Sequence, residues 1–224
     1  MALRFLLGVD AGQTVTKAVL FDALGRAVAL GRVDTHVAAP RPGWRERDMA
    51  ATWREAANAI AACLRAAGVS GRDVAAVGLC GHNDGLYAVD ASGTPVRPAI
   101  LATDSRARAY VTRYRREGVA DRALPLTGQS PFAGSPAAVC AWLRDHEPQS
   151  LNTARWLLFA KDWLRLCLTG EAATDLTEAS ASFTDVSSQD YSTDALALYG
   201  LSDIAEKLPP ILAPMQPCYP CGGC

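Results

Sequence analysis

Gly8-Val9-Asp10-Ala11-Gly12-Gln13-Thr14-Val15-Thr16-Lys17-Ala18-Val19-Leu20-Phe21-Asp22 decides how the rest of the chain is read. An apolar run (Phe5, Leu6, Leu7, Val9) ends in Asp10-Ala11-Gly12, a polar turn follows, and a second strand-like run closes on Phe21-Asp22. The pattern predicts a β-hairpin with a carboxylate at the tip of its first strand. Gly12 lets the backbone approach a ligand closely, and successive N–H groups in such a turn cradle an anion. Gln13, Thr14 and Thr16 offer donors, Lys17 a cation, and Asp10 a carboxylate able to hold hydrated Mg²⁺. A plain hairpin with a polar turn is the other reading of this stretch.

Working outward, residues 4–10, 15–22 and 26–35 read as three antiparallel strands joined by short polar turns. Asp48 is placed to cap a helix whose apolar positions (Trp53, Ala56, Ala57, Ile60, Cys63, Leu64, Ala67) keep helical spacing up to Gly68. Residues 74–79 form the next strand, which the crossover helix makes parallel to the first. A meander over Gly85–Asp90 and Pro95–Ile100 turns at Ala91-Ser92-Gly93. Residues 104–117 predict an amphipathic helix with Ala107, Tyr110, Val111 and Tyr114 inward and arginines outward. Ser135-Pro136 opens another helix with Val139, Trp142 and Leu143 as its core side, and Asp162 opens a short one that stops at Gly170.

Composition sets limits. The 224 residues are 50% hydrophobic and 20% charged with a net charge of −1, ordinary for a globular protein. Near-neutral charge argues against nucleic acid as a partner; the stripe Arg108, Arg113, Arg115, Arg116 reads as a solvated helix face. No apolar run approaches the roughly 20 residues that span a bilayer, and the start runs straight into the first strand without a secretory leader, so a cytoplasmic location is expected. Cys63, Cys80, Cys140 and Cys167 sit singly among apolar neighbours. Cys218, Cys221 and Cys224 close the chain, but a metal site would want a fourth ligand and a fold around it.

Three segments together resemble the FGGY carbohydrate kinases, whose fold is that of actin and the sugar-kinase ATPases. Asp10-x-Gly12-x-Thr14-x-x-Lys17 is similar to that family's first phosphate motif. Pro42-Gly43-Trp44-x-Glu46-x-Asp48 is similar to its Pro-Gly-Trp segment. Lys161-Asp162-Trp163-Leu164-x-x-x-Leu168-Thr169-Gly170-Glu171, with Thr174-Asp175 and Glu178-Ala179-Ser180, resembles its central signature. Within the family the text reads most like the pentulose kinases, especially those for L-xylulose and 3-keto-L-gulonate.

The resemblance implies an α/β domain of the actin-like ATPase (ribonuclease H-like) class, a mixed five-stranded sheet flanked by helices, over residues 1–214, with 215–224 an irregular tail. It implies ATP and Mg²⁺ as cofactors, Asp10 as the organiser of Mg²⁺ and phosphate, and Gly12, Gln13, Thr14, Thr16 and Lys17 around the phosphates. The sugar, a pentulose or related sugar acid, is expected at two loops: His82, Asn83 and Asp84 in one, Thr103, Asp104 and Arg106 in the other. Asn83 and Asp84 differ from the residues of D-xylulose kinases, and Ala102 stands where an aromatic residue is common. Asp104 or Ser105 as a helix cap, Arg106 as a surface arginine and His82 as a loop histidine are the alternatives; Asp175 and Glu178 read as structural, joining helix and loop. The family's general base and nucleotide domain lie beyond residue 224, so the missing C-terminal kinase domain is the expected partner and the isolated chain is expected to be inactive. A homodimer is a further expectation. A non-catalytic sugar-binding or regulatory module and an actin-like interaction protein remain the alternative functions.

Overall fold

The computed structural model describes residues 5–213. The expected irregular tail, with Cys218, Cys221 and Cys224, lies outside the described residues, as does the early part of the first expected strand. The described residues divide into two compact units, one over residues 5–37 and 48–82, the other over 38–47 and 83–213.

In the first unit, β1 (Phe5–Ala11), β2 (Val15–Asp22) and β3 (Ala27–Asp34) form the antiparallel meander expected from their alternation. The chain then passes through the two-residue strand β4 (Glu46–Arg47), part of the second unit, into helix α1 (Met49–Ala67). The Asp48 carboxylate caps α1 by accepting from Ala51 N–H at 3.0 Å, and Gly68 ends it at φ 64°, a left-handed turn that glycine adopts without strain. Strand β5 (Val74–Gly81) returns parallel to β1, giving the sheet order β3-β2-β1-β5.

This sheet has four strands among the described residues, one fewer than the five expected. After β5 the chain leaves to build the second unit instead of crossing back to the sheet.

Alternation fixes which face of this sheet is covered. Leu7, Val9, Ala11, Thr16, Ala18 and Leu20 are buried on the α1 side, while Leu6, Lys17 and Leu30 are exposed on the other. The α1 contact is close. A Cβ on Gly31 would collide with the Ala59 carbonyl oxygen and crowd the Cys63 amide, both in α1. Gly31→Ala should therefore push helix from sheet and lower stability by about 1–3 kcal/mol, the usual cost of overpacking. A denaturant midpoint unchanged from wild type would disprove that contact.

The second unit buries its core around strand β6 (Tyr87–Val89), which is buried throughout, and strand β7 (Ala99–Ile100), which pairs with β4. The expected meander is present in short form, with bridges Leu86↔Ile100 and Val89↔Pro95. Helix α2 (Arg108–Arg116) buries Tyr110, Val111 and Tyr114 as its spacing requires, but starts four residues later than Asp104. The next helix, α3 (Val119–Thr127), contains Pro125 and went unread, as did α5 (Pro148–Thr153). Between them α4 (Pro136–His146) runs through the core, buried from Pro136 to Leu143. Ser135 precedes it without a side-chain cap, its hydroxyl donating instead to the Phe132 carbonyl at 2.8 Å. Strand β8 (Trp156–Leu158) pairs antiparallel with β6 and leads into α6 (Ala160–Thr169), which starts two residues before Asp162 and ends at Gly170. Strand β9 (Thr174–Asp175), helix α7 (Leu176–Ala179), helix α8 (Thr193–Leu198) and strand β10 (Ile211–Leu212), parallel to β9, complete the unit.

Candidate functional site

The hairpin of the first unit places Asp10 opposite Lys17 across β1 and β2, and beside Cys80 across β1 and β5. All three side chains therefore share the sheet face that α1 does not cover. The Cys80 thiol is pushed up by its partial burial and, second, by the Asp10 carboxylate, to which it hydrogen-bonds. Sequence reading did not single out Cys80. Only the parallel register, set by a strand some seventy residues on, brings it there.

The turn between the strands is tightly built. A Cβ on Gly12 would stand 2.6 Å from the Val15 carbonyl oxygen, so only glycine fits. Thr35 fastens the turn, its hydroxyl donating to the Gln13 carbonyl at 2.6 Å and its N–H to the Thr14 carbonyl at 3.1 Å. Those carbonyls are thereby occupied. Thr14 and Lys17 are exposed, but Thr16 is fully buried on the α1 face beside Ala11 and Ala18. The phosphate contact expected of Thr16 is corrected on this ground: period-two alternation turns its side chain away from Asp10 and Lys17. Among the described residues no group of three or more His, Cys, Asp or Glu side chains stands together to hold a metal ion. A single carboxylate such as Asp10 fits Mg²⁺ held through water and phosphate oxygens.

In the second unit, the loop after β5 turns sharply at Asp84 (φ 61°) and Gly85 (φ 78°), both left-handed. A Cβ on Gly85 would strike the Ile100 carbonyl, and one on Gly134 would strike the Ala102 carbonyl. Gly85 N–H donates to the Gly134 carbonyl at 3.0 Å, so three backbone segments meet beside Asp84. Asn83 is exposed; His82, the last residue of the first unit, is half-buried, and its N–H reaches the Ala11 carbonyl at 3.3 Å. The Asp84 carboxyl is raised to about 6 by burial.

Thr103 is exposed, but Asp104 and Arg106 are not. Asp104 accepts from the Arg45 amide at 2.6 Å and from the Arg106 guanidinium at 2.8 and 3.0 Å. Arg106, its side chain wholly buried, also meets Glu46 at 2.9 Å and stacks 3.7 Å from the Trp44 ring centroid, while its Nη1 has no hydrogen-bond partner. Neither is a helix cap or a surface group. Their polar atoms tie the loop to the Pro42-Gly43-Trp44 segment, which revises the expectation that they touch sugar and explains why α2 starts late.

The central signature forms a second charged cluster in this unit. Asp162 accepts from the Phe159 amide at 3.2 Å, which starts α6, and Asp175 accepts from the Glu178 amide at 3.1 Å, which starts α7. Lys161 pairs with Asp162 at 2.9 Å and Asp175 at 3.2 Å, with Glu178 farther at 4.0 Å. Glu178 is 1% exposed, and burial raises its carboxyl to about 8 against the lowering pull of Lys161.

A raised carboxyl makes the folded state hold a proton that the unfolded chain releases. Glu178 therefore contributes stability that is full below the unfolded value near 4.5 and is lost as pH rises towards 8. Between pH 5 and 8 the melting temperature of wild type should fall relative to that of Glu178→Gln. Parallel curves for the two proteins would disprove the raised carboxyl.

The model of the FGGY family of carbohydrate kinases, N-terminal domain, matches residues 5–218. The chain belongs to this family. It is 32% identical over 216 residues to the L-xylulose/3-keto-L-gulonate kinase of Escherichia coli, covering 96% of this chain and 43% of that protein. It is 31% identical over 216 residues to the erythritol kinase of Brucella abortus, covering 96% and 41%. Among solved structures, the xylulose kinase of Rhodospirillum rubrum superposes with a TM-score of 0.85 at 27% identity, covering 93% of this chain and 43% of that one. The fold is thus the α/β actin-like ATPase class of the FGGY sugar kinases, and the chain corresponds to their N-terminal part, spanning less than half the length of these relatives.

Proposed function

We propose that this chain supplies the sugar-binding half, and part of the phosphate-binding half, of an ATP-dependent kinase that phosphorylates a hydroxyl of a ketopentose or related sugar acid in the cytoplasm. The observation that carries the reading is the Asp10 hairpin, with Lys17 opposite Asp10 and the Gly12 turn fastened by Thr35, in a chain of this family. In this reading Asp10, Gly12, Gln13, Thr14 and Lys17 hold the terminal phosphates, and His82, Asn83, Asp84 and Thr103 orient the sugar. Asp104 and Arg106 keep the second sugar loop in place from behind. Mg²⁺ held through water by Asp10 would neutralise charge that develops on the transferring phosphoryl oxygens. The base that takes the hydroxyl proton and the adenine pocket belong to a C-terminal kinase domain of the kind the longer relatives have room for.

An ADP-release assay with D-xylulose, L-xylulose and L-ribulose tests the proposal. The 224-residue chain alone should give no sugar-dependent turnover. The same chain joined to the C-terminal part of the Escherichia coli relative should give turnover that Asp10→Ala abolishes. Sugar binding without turnover in the joined protein would favour a non-catalytic module.

A further inference from the structure

Thr35, the residue that follows β3, grips the turn between β1 and β2 at two points. Its N–H donates to the Thr14 carbonyl at 3.1 Å, and its hydroxyl donates to the Gln13 carbonyl at 2.6 Å. The two bonds differ in what they ask of the sequence. The first continues the β2–β3 pairing, in which Val15 faces Asp34, and any residue except proline would make it. The second needs a side-chain donor of the right reach. It holds the Gln13–Thr14 peptide, which belongs to the turn and to neither strand.

The direction of that peptide decides what the turn offers an anion. No described peptide bond is cis, and a planar trans peptide sends its N–H opposite to its C=O. With the Gln13 carbonyl turned onto the Thr35 hydroxyl, the Thr14 N–H points away from Thr35, on a residue that is exposed. A reversed peptide would present the Gln13 oxygen there, and a carbonyl oxygen repels phosphate where an N–H attracts it. We propose that Thr35 is a positioning residue of the phosphate turn, its hydroxyl holding the Gln13 carbonyl back so that the Thr14 N–H meets a phosphate oxygen. The inference rests on the reading above that the Asp10 hairpin holds phosphate, and it assigns a role to a residue that touches no ligand itself.

Amide-resolved NMR of the 224-residue chain, titrated with tripolyphosphate and Mg²⁺, tests the assignment. Tripolyphosphate offers terminal phosphates without needing an adenine pocket. The Thr14 amide should shift in wild type. Thr35→Val keeps the side-chain shape without the hydroxyl. It should bind about tenfold more weakly, the loss of one hydrogen bond's aim at a charged group. Thr35→Ser keeps a hydroxyl and should bind within about twofold of wild type. Melting temperatures of the same samples separate positioning from folding. A Thr35→Val protein that melts lower yet binds tripolyphosphate like wild type overturns the positioning role while leaving the phosphate turn standing. So does equal loss of binding in Thr35→Ser and Thr35→Val, or a wild-type titration that shifts Lys17 and not Thr14. Thr35→Ala carries the same comparison if Thr35→Val unfolds. A titration that shifts no amide of residues 10–17 overturns the phosphate reading, and the positioning role with it.

Discussion

Arg106→Ala should lower the melting temperature by about 10 °C, one of the largest effects of any single substitution in the second unit. The guanidinium is wholly buried, holds both Asp104 oxygens and Glu46, and lies flat on Trp44 at 3.7 Å. Removing it leaves the buried Asp104 carboxylate without its cation, a loss of about 3–5 kcal/mol, although Glu46 keeps Arg97 at 2.6 Å, and each kcal/mol moves a domain of this size by about 2–4 °C. Arg106→Lys should recover little, because an ammonium cannot make the planar fork or the ring stack. Arg116→Ala is the control. Its ion pair with Glu117 at 3.1 Å is solvent-exposed and worth about 0–1 kcal/mol. An Arg106→Ala protein that melts like wild type but no longer binds sugar would return Arg106 to the sugar site.

That arginine also marks where the sequence ceased to be legible. The meander, α1 and β5 were readable because their contacts follow from alternation, from a cap and a terminal glycine, and from a buried apolar run, all local features. The second unit joins short strands across long separations, Glu46 with Ile100 and Tyr87 with Leu158, and no local period announces such pairings. Asp104 and Arg106 were therefore expected at the sugar, with a helix cap and a surface arginine as the alternatives, since nothing near them names Glu46 and Trp44 as partners.

Thr16 is the opposite case. It alternates with Ala18 and Leu20, and that spacing already assigned it to the buried face of β2 while Lys17 took the other. The motif resemblance outweighed the alternation there. At Glu178 the family signature located the segment, yet only the packed structure reveals an oxygen left unpaired.

Asp10→Ala carries the largest expected effect on chemistry. In the chain joined to a C-terminal kinase part, kcat should fall by about three orders of magnitude, comparable to or beyond the loss of a single preorganised charge-stabilising group. The KM for sugar should change little, because Asp10 is not among the residues expected to hold the sugar. Fold loss is not the cause, since Asp10 sits at the strand end on the sheet face that α1 leaves uncovered. The 224-residue chain alone provides an independent check. Asp10 raises the Cys80 thiol, so its removal should lower that thiol's titration midpoint and speed its labelling by a disulfide reagent at fixed pH. Among the described residues Cys80 is the exposed free cysteine, with Cys63 and Cys140 buried and Cys167 partly so, and peptide mapping separates its label from that on Cys218, Cys221 and Cys224. Faster labelling together with lost turnover places one charge at both effects. Unchanged turnover would remove Asp10 from the phosphate site, and unchanged labelling would mean that Asp10 and Cys80 do not share a face.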